Sequence, residues 1–334
     1  MKRLLLTALL LAAPAASAQT TPGATPATTS PAAVTLSLAA PVGTVAELAT
    51  TTQTRLTLED VQITGPNGEA AGAEEAAETR RLMQESLNAV GAQVTPGKAF
   101  FKVQERAADG NVTLLTTVVT SVPGQGPVNV RVVQRVAPSG QVELARLESD
   151  NPLVQSVLAN LSPGALRAQA DASGGSVTGI YGQALTVGRP TTQTVTLDAQ
   201  ALLGGVFGAL ASGLGGGPNP FGQVQASPLT VTTTTTSRGL NPAGQHVFET
   251  RNSIGNWTVE LGGAAEGGAS ALPRMRLELV DATGSGLSLY RPDGLPTGSN
   301  QTQTMRMRVG LTLPSGEQMT MLVRLEQTQT MRPR

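Results

Sequence analysis

The chain has no cysteine, one histidine and few aromatic residues: 334 residues hold one Trp, two Tyr and five Phe. Each shortage closes a class of chemistry. Without cysteine no disulfide staples the fold, and no thiolate serves as nucleophile or metal ligand. A zinc site needs several His or Cys ligands, and His246 stands alone. A Ser-His-Asp system would have to run through His246, and no G-x-S-x-G marks a nucleophile elbow. His246 precedes Val247 and Phe248 and reads as an ordinary strand residue. No P-loop is present: the run from Gly91 to Gly97-Lys98 has the wrong spacing and continues into Ala99 instead of Ser or Thr. The glycines at 213–217 follow no parallel-strand pattern. Catalytic, cofactor and metal residues are therefore none, and the chain reads as a non-enzyme.

Charge is also scarce. Charged residues make up 14%, and 23 Lys+Arg balance 23 Asp+Glu. No basic excess points to nucleic acid or to an anionic membrane surface. One Trp and two Tyr cannot build the aromatic girdles of an outer-membrane barrel. With so few rings, Val, Leu, Ala, Thr and Met must do the packing, and each buries less area than Phe or Trp.

What is present begins with an export signal. Lys2 and Arg3 precede the apolar run Leu4–Ala13, Pro14 interrupts it, and Ala16-Ser17-Ala18 is a small-x-small cleavage pattern. Residues 1–18 are expected to be a signal peptide, with Gln19 as the mature start. Cleavage removes Lys2 and Arg3 and no acid, leaving 21 Lys+Arg against 23 Asp+Glu. Residues 19–33 are Thr, Pro and Ala without charge and are expected to be a disordered leader. No later apolar run is long and Gly-free enough to span a membrane. The expected location is the periplasm, the cell envelope or the extracellular space.

The remainder, 34–334, reads as one β-rich domain or as two meander halves, 34–190 and 191–334. Strands are expected at 34–40, 54–63, 100–106, 111–122, 128–136, 141–147, 191–197, 229–237, 246–251, 257–261, 274–280, 304–313 and 317–330. Leu56 and Leu58 share a face, and Val61 and Ile63 take the other parity, which predicts a bulge near Asp60. Ala73–Val90 carries Ala73, Ala76, Met83, Leu87 and Val90 at helical spacing, with Gly91 as the cap, and predicts a helix. Asn151–Leu161 is a second, shorter helix candidate with Pro152 at its first turn.

Facing apolar residues fix the hairpin registers. Phe101 and Val103 against Val112 and Leu114 demand an even loop, which predicts a two-residue Asp109-Gly110 turn. Val136 against Val142 demands an odd loop, which predicts Pro138-Ser139-Gly140 with Gly140 at positive φ. Likewise Pro314-Ser315-Gly316 sets Leu311 opposite Met319, Val309 opposite Met321, Met307 opposite Val323 and Met305 opposite Leu325. It also sets Arg306 opposite Arg324, a repulsive pair that Glu326 is expected to relieve diagonally. Both Pro-Ser-Gly hairpins end in Arg-Leu-Glu, at 146–148 and 324–326, an internal echo readable as duplication or as chance in a biased composition.

Three stretches carry a resemblance: Gly179-Ile-Tyr-Gly182, Ala226-Ser-Pro-Leu-Thr-Val231 and Tyr290-Arg-Pro-Asp-Gly294. On these the mature chain resembles uncharacterised exported Thr/Ala/Gly-rich proteins of the envelope of high-GC bacteria. Its arrangement is also similar, in architecture only, to the half-barrels of periplasmic lipoprotein carriers. The resemblance implies a sheet wrapped over helices around an apolar cavity, and it carries over no site residues.

The fold expected from all this is mainly β: a strongly curved antiparallel sheet or open half-barrel with one or two helices packed on the concave side. Six of the eight methionines lie after position 274. Met suits an adaptable apolar surface and equally serves as filler in a core short of rings. The candidate apolar ligand cavity is therefore Met275, Met305, Met307, Met319, Met321 and Val323. Two readings follow. One is a non-enzymatic envelope protein holding a lipid or other apolar small molecule; the other is a structural or interaction component with a filled core. The Gly-rich apolar run 201–217 reads as an insertion or as a lid.

Overall fold

The computed structural model describes residues 33–91, 93–122, 126–152, 154–155, 180–200, 203, 224–262 and 273–334. The expected signal peptide, nearly all of the leader, most of the Asn151–Leu161 helix and all of 201–217 but Leu203 lie outside the described residues. The described chain is mainly β. Its strands are β1 (Ala33–Thr35), β2 (Val45–Thr64), β3 (Gln93–Arg106), β4 (Val112–Val122), β5 (Gly126–Val136), β6 (Val142–Ser149), β7 (Ala184–Thr186), β8 (Pro190–Leu197), β9 (Val224–Ala226), β10 (Leu229–Leu240), β11 (His246–Ile254), β12 (Trp257–Leu261), β13 (Arg274–Tyr290), β14 (Pro296–Thr312) and β15 (Gln318–Pro333). Helix α1 (Ala73–Gly91) connects β2 to β3.

Thirteen strands form one antiparallel sheet in the order β6-β5-β4-β3-β2-β15-β14-β13-β11-β10-β8. β12 pairs with the first part of β13, beside β11, and β9 pairs with β12. The sheet does not close; β6 and β8 are its ends. β1 and β7 pair separately. The early and late strands meet where β2 lies against β15.

One turn recurs. In Gly65–Glu69, Ala107–Asn111, Ala137–Gln141, Asn241–Gln245, Arg291–Leu295 and Leu313–Glu317, the fourth residue is a glycine whose N–H bonds the carbonyl of the first. The N–H of the first bonds the carbonyl of the fifth. This is a three-residue loop, and the fourth position needs the left-handed backbone: φ is +84° at Gly140 and +91° at Gly316. Proline at the second position presets φ in all but Ala107–Asn111.

The expected two-residue turn at Asp109-Gly110 is therefore corrected. Ala107 and Asn111 close a three-residue loop, and a bulge between Val103 and Glu105 restores the parity of the apolar face. The Pro138-Ser139-Gly140 loop and all four β14–β15 pairings are as the sequence predicts. So is the bulge near Asp60: Leu322 faces Asp60 and Val323 faces Leu58, leaving Glu59 unpaired. That bulge changes the charge pairing. Arg306 bonds Glu59 at 2.8 Å, and Glu326 pairs with Arg324 on its own strand at 2.8 Å, so Glu326 does not relieve Arg306.

Strands also run longer than expected. β2 starts at Val45 instead of Thr54, β13 continues to Tyr290, and β14 starts at Pro296. In contrast, the expected strand 34–40 is short; beyond Thr35, Leu36 makes one bridge to Tyr181, and Ala39 and Ala40 bond the Asp293 carbonyl.

Tyr181 ties distant turns together. Its hydroxyl donates to the Gly294 carbonyl at 2.7 Å in the β13–β14 turn. Its backbone carbonyl lies so close to Gly140 of the β5–β6 turn that a Cβ there would sit 1.7 Å from it. Its ring packs edge-on to Tyr290, which packs edge-on to Phe248. Three of the chain's few rings thus anchor the main core with Leu36, Phe101, Leu114 and Leu295.

Candidate functional site

Side chains alternate across a strand, so the pairings settle which residues share a face. The three apolar clusters all lie on one face of the large sheet. Leu56, Leu58, Val61, Val323 and Leu325 form the cluster under α1, joined by Met83 and Leu87 of the helix and by Met305, Met319 and Met321. Val259 and Leu261 form another with Met275, Leu277, Trp257 and Leu203.

The candidate methionines are thus divided. Met305, Met319, Met321 and Val323 meet beneath α1, whereas Met275 belongs to the β12 cluster. Met307 shares their face, opposite Val323 and Leu279. Val323 is buried and the five methionines are half-buried.

Two clefts stand out among the described residues, and neither is lined by a methionine. One of about 410 Å³ involves Arg251, Thr283, Ser285, Thr302 and Thr304, side chains of the opposite face. One of about 250 Å³ lies at the β6 end, against Arg131, Glu148 and Asp150. Hydrogen bonds from the backbone and side chain of Asn129 hold the Asp150 carboxyl below its ordinary range.

Between the methionine rows and the aromatic core, the same face carries two rows without charge or large apolar groups. In the first, Gln193 faces Thr233, Thr233 faces Asn252, Asn252 faces Gly284, Gly284 faces Gln303, Gln303 faces Gln327 and Gln327 faces Thr54. In the second, Thr191, Thr235, Thr250, Gly286, Gln301, Gln329 and Thr52 follow in the same manner. Gln301, Gln303 and Gln327 are buried, at 2%, 4% and 8% exposure. Among the described residues, the Oε1 atoms of Gln303 and Gln327 and the Oγ of Ser299 have no hydrogen-bond partner. A buried unpaired acceptor costs roughly 1–3 kcal/mol, and the two glutamine oxygens belong to directly opposed residues.

The sequence held a signal for this band. Gln-Thr-Gln-Thr-Met-Arg occurs twice, at 301–306 and 327–332. The copies pair antiparallel about Thr302 and Thr328, whose hydroxyls are 3.3 Å apart on the other face. Reading methionine and charge alone passes over it.

One buried carboxylate elsewhere is held by structural partners. Glu249 is buried on the opposite face between Arg238 and Arg251. Burial raises its carboxyl, but the hydrogen bonds and charge of the two guanidiniums outweigh burial and hold it below the ordinary value. His246 stacks on Phe248, with ring centroids 6.4 Å apart, and its Nδ1 has no hydrogen-bond partner among the described residues. Among the described residues no group of three or more His, Asp or Glu is placed to hold a metal ion, and no helix is long and apolar enough to cross a membrane.

No family model and no curated protein matches the chain. A solved structure of a DUF3598-family protein of unknown function from Nostoc punctiforme is 9% identical, over 82% of this chain and 95% of that one. Its TM-score is 0.12, at which the likeness does not extend to the fold.

Proposed function

We propose that this chain is a non-enzymatic exported envelope protein that holds a lipid or similar apolar molecule against the inward face of a strongly curved, open half-barrel. The observation that carries the reading is the zoning of one sheet face into half-buried methionine rows beside neutral polar rows. Half-burial leaves the methionines accessible to a further apolar group, and their flexible thioethers adapt to its shape.

Curvature is supported by Tyr181. The turns it joins belong to β5 and β14, five strand spacings apart in the sheet, about 24 Å if the sheet were flat. One tyrosine spans only a fraction of that distance. The methionines then line the concave side, with α1 over part of it.

The second reading, a structural or interaction component with a filled core, draws on Met83 and Leu87. These α1 side chains already pack in the cluster of Met305, Met319 and Met321. Native mass spectrometry and lipid extraction of protein purified from its own envelope separate the two. A stoichiometric lipid is the expected result. Protein that arrives empty and takes up no fluorescent fatty acid favours the filled core. The same spectrum tests export: a mass beginning at Gln19 is expected, and one retaining residues 1–18 rules the signal peptide out.

A further inference from the structure

We propose that the neutral rows through Gln303 and Gln327 are a head-group subsite for an uncharged, hydroxyl-bearing amphiphile, whose acyl chain lies along the methionine rows. The inference rests on the lipid-holding reading above and adds which lipid chemistry the site takes.

Position comes first. Gln303 and Gln327 are directly opposed, and two residues further along the same strands lie Met305 and Leu325, also opposed. Head and tail contacts are therefore contiguous on one face. Gly284 faces Gln303 and Gly286 faces Gln301, so β13 adds no side chain beside these amides.

Chemistry comes second. The unpaired atoms of the directly opposed pair are acceptors, Gln303 Oε1 and Gln327 Oε1; Ser299 Oγ, a hydroxyl that both donates and accepts, lies four residues away along β14. The two acceptors call for a donor. A carboxylate or phosphate has no proton to give, and neither row contains Lys or Arg to offset its charge. A hydroxyl donates and accepts, so it also satisfies either amide after rotation about its last torsion. A monoacylglycerol supplies hydroxyls at one end and an acyl chain at the other.

The test uses the full mature protein with two probes of equal chain length, 1-monooleoylglycerol and oleate, titrated separately at neutral pH. Wild type is expected to bind the monoacylglycerol at least about tenfold more tightly, the difference that one or two satisfied buried acceptors make. The double variant Gln303→Leu/Gln327→Leu is expected to keep oleate binding and lose the preference. Equal affinity of wild type for both probes overturns the subsite while leaving the lipid-holding reading intact. Binding of neither probe overturns both. A preference that survives in the double variant places recognition elsewhere and overturns the assignment. The comparison of probes on wild type decides the matter even if the double variant does not fold.

Discussion

Gln84 on α1 accepts the backbone N–H of Leu58 at 2.9 Å, one residue before the unpaired Glu59. Arg80, one helical turn earlier, donates to the Glu59 carbonyl at 2.8 Å. A bulge removes backbone groups from the ladder, and here two helix side chains take the place of the lost strand partners. The helix is thus fixed by polar contacts at the bulge as well as by Met83 and Leu87.

This pairing predicts that Gln84→Leu, which keeps the side-chain volume, destabilises the fold by about 1–3 kcal/mol because the Leu58 N–H is left without its acceptor. Urea midpoints measure the loss, and amide hydrogen exchange at Leu58 should accelerate with it. An unchanged midpoint together with unchanged Leu58 exchange would show that the contact contributes nothing.

The helix, the bulge and the β14–β15 register were legible in the sequence because each is written in apolar spacing. Met319, Met321, Val323 and Leu325 share one parity, and the shift between Leu58 and Val61 can be read as a change of parity. The polar band was not legible for the same reason. Residues 50–53, 281–290 and 296–303 lie in strands but are rich in Thr, Gln, Gly and Ser, so period-two alternation has little contrast there. The Asp109-Gly110 turn failed differently: the parity argument assumed an unbroken ladder, and the bulge at Gln104 broke it. The division of Met275 from Met305, Met319 and Met321 depends on long-range pairing and on α1, which residue spacing does not encode.

Met321 distinguishes the two readings of the methionine face. It faces Val309 and Val61 and packs in the cluster under α1, but it is only half-buried. If that cluster is a closed core, Met321→Ala should cost about 2 kcal/mol, the low end for Met→Ala because burial is incomplete. If the face holds a ligand, the apo protein should lose much less, and fatty-acid uptake should change instead. Denaturant midpoints and uptake measured on the one variant read both.

Glu249 gives an acid-side prediction. Its folded carboxyl sits below the unfolded value because Arg238 and Arg251 hold the ionised form. The associated stability is present above the unfolded value, about pH 4.3, and is lost as pH falls through the lower folded value. Glu249→Gln should therefore be less stable than wild type by about 1–3 kcal/mol at pH 7. The gap should narrow below about pH 4 as wild type loses the ion pairs. A constant gap from pH 7 to pH 3 would mean that the loss comes from packing rather than charge.

Tyr181 and Tyr290 give the alkaline counterpart. They are the only tyrosines, and both are buried against each other. Burial raises both phenols above their ordinary value; the nearby Asp293 charge adds to this at Tyr181, and coupling to Tyr181 adds to it at Tyr290. A raised acid in the folded state means that this contribution is intact below the unfolded value, about pH 10, and is lost as pH rises above it. Tyrosinate absorbance near 295 nm should therefore stay flat through pH 10 and then rise in one step, together with loss of the far-ultraviolet β signal. Because the Tyr181 hydroxyl also bonds Gly294, Tyr181→Phe should lower the denaturation midpoint while leaving Tyr290 to ionise only on unfolding. Ionisation of either tyrosine near pH 10 in protein that keeps its β signal would contradict their burial, and with it the joining of the β5–β6 and β13–β14 turns through Tyr181.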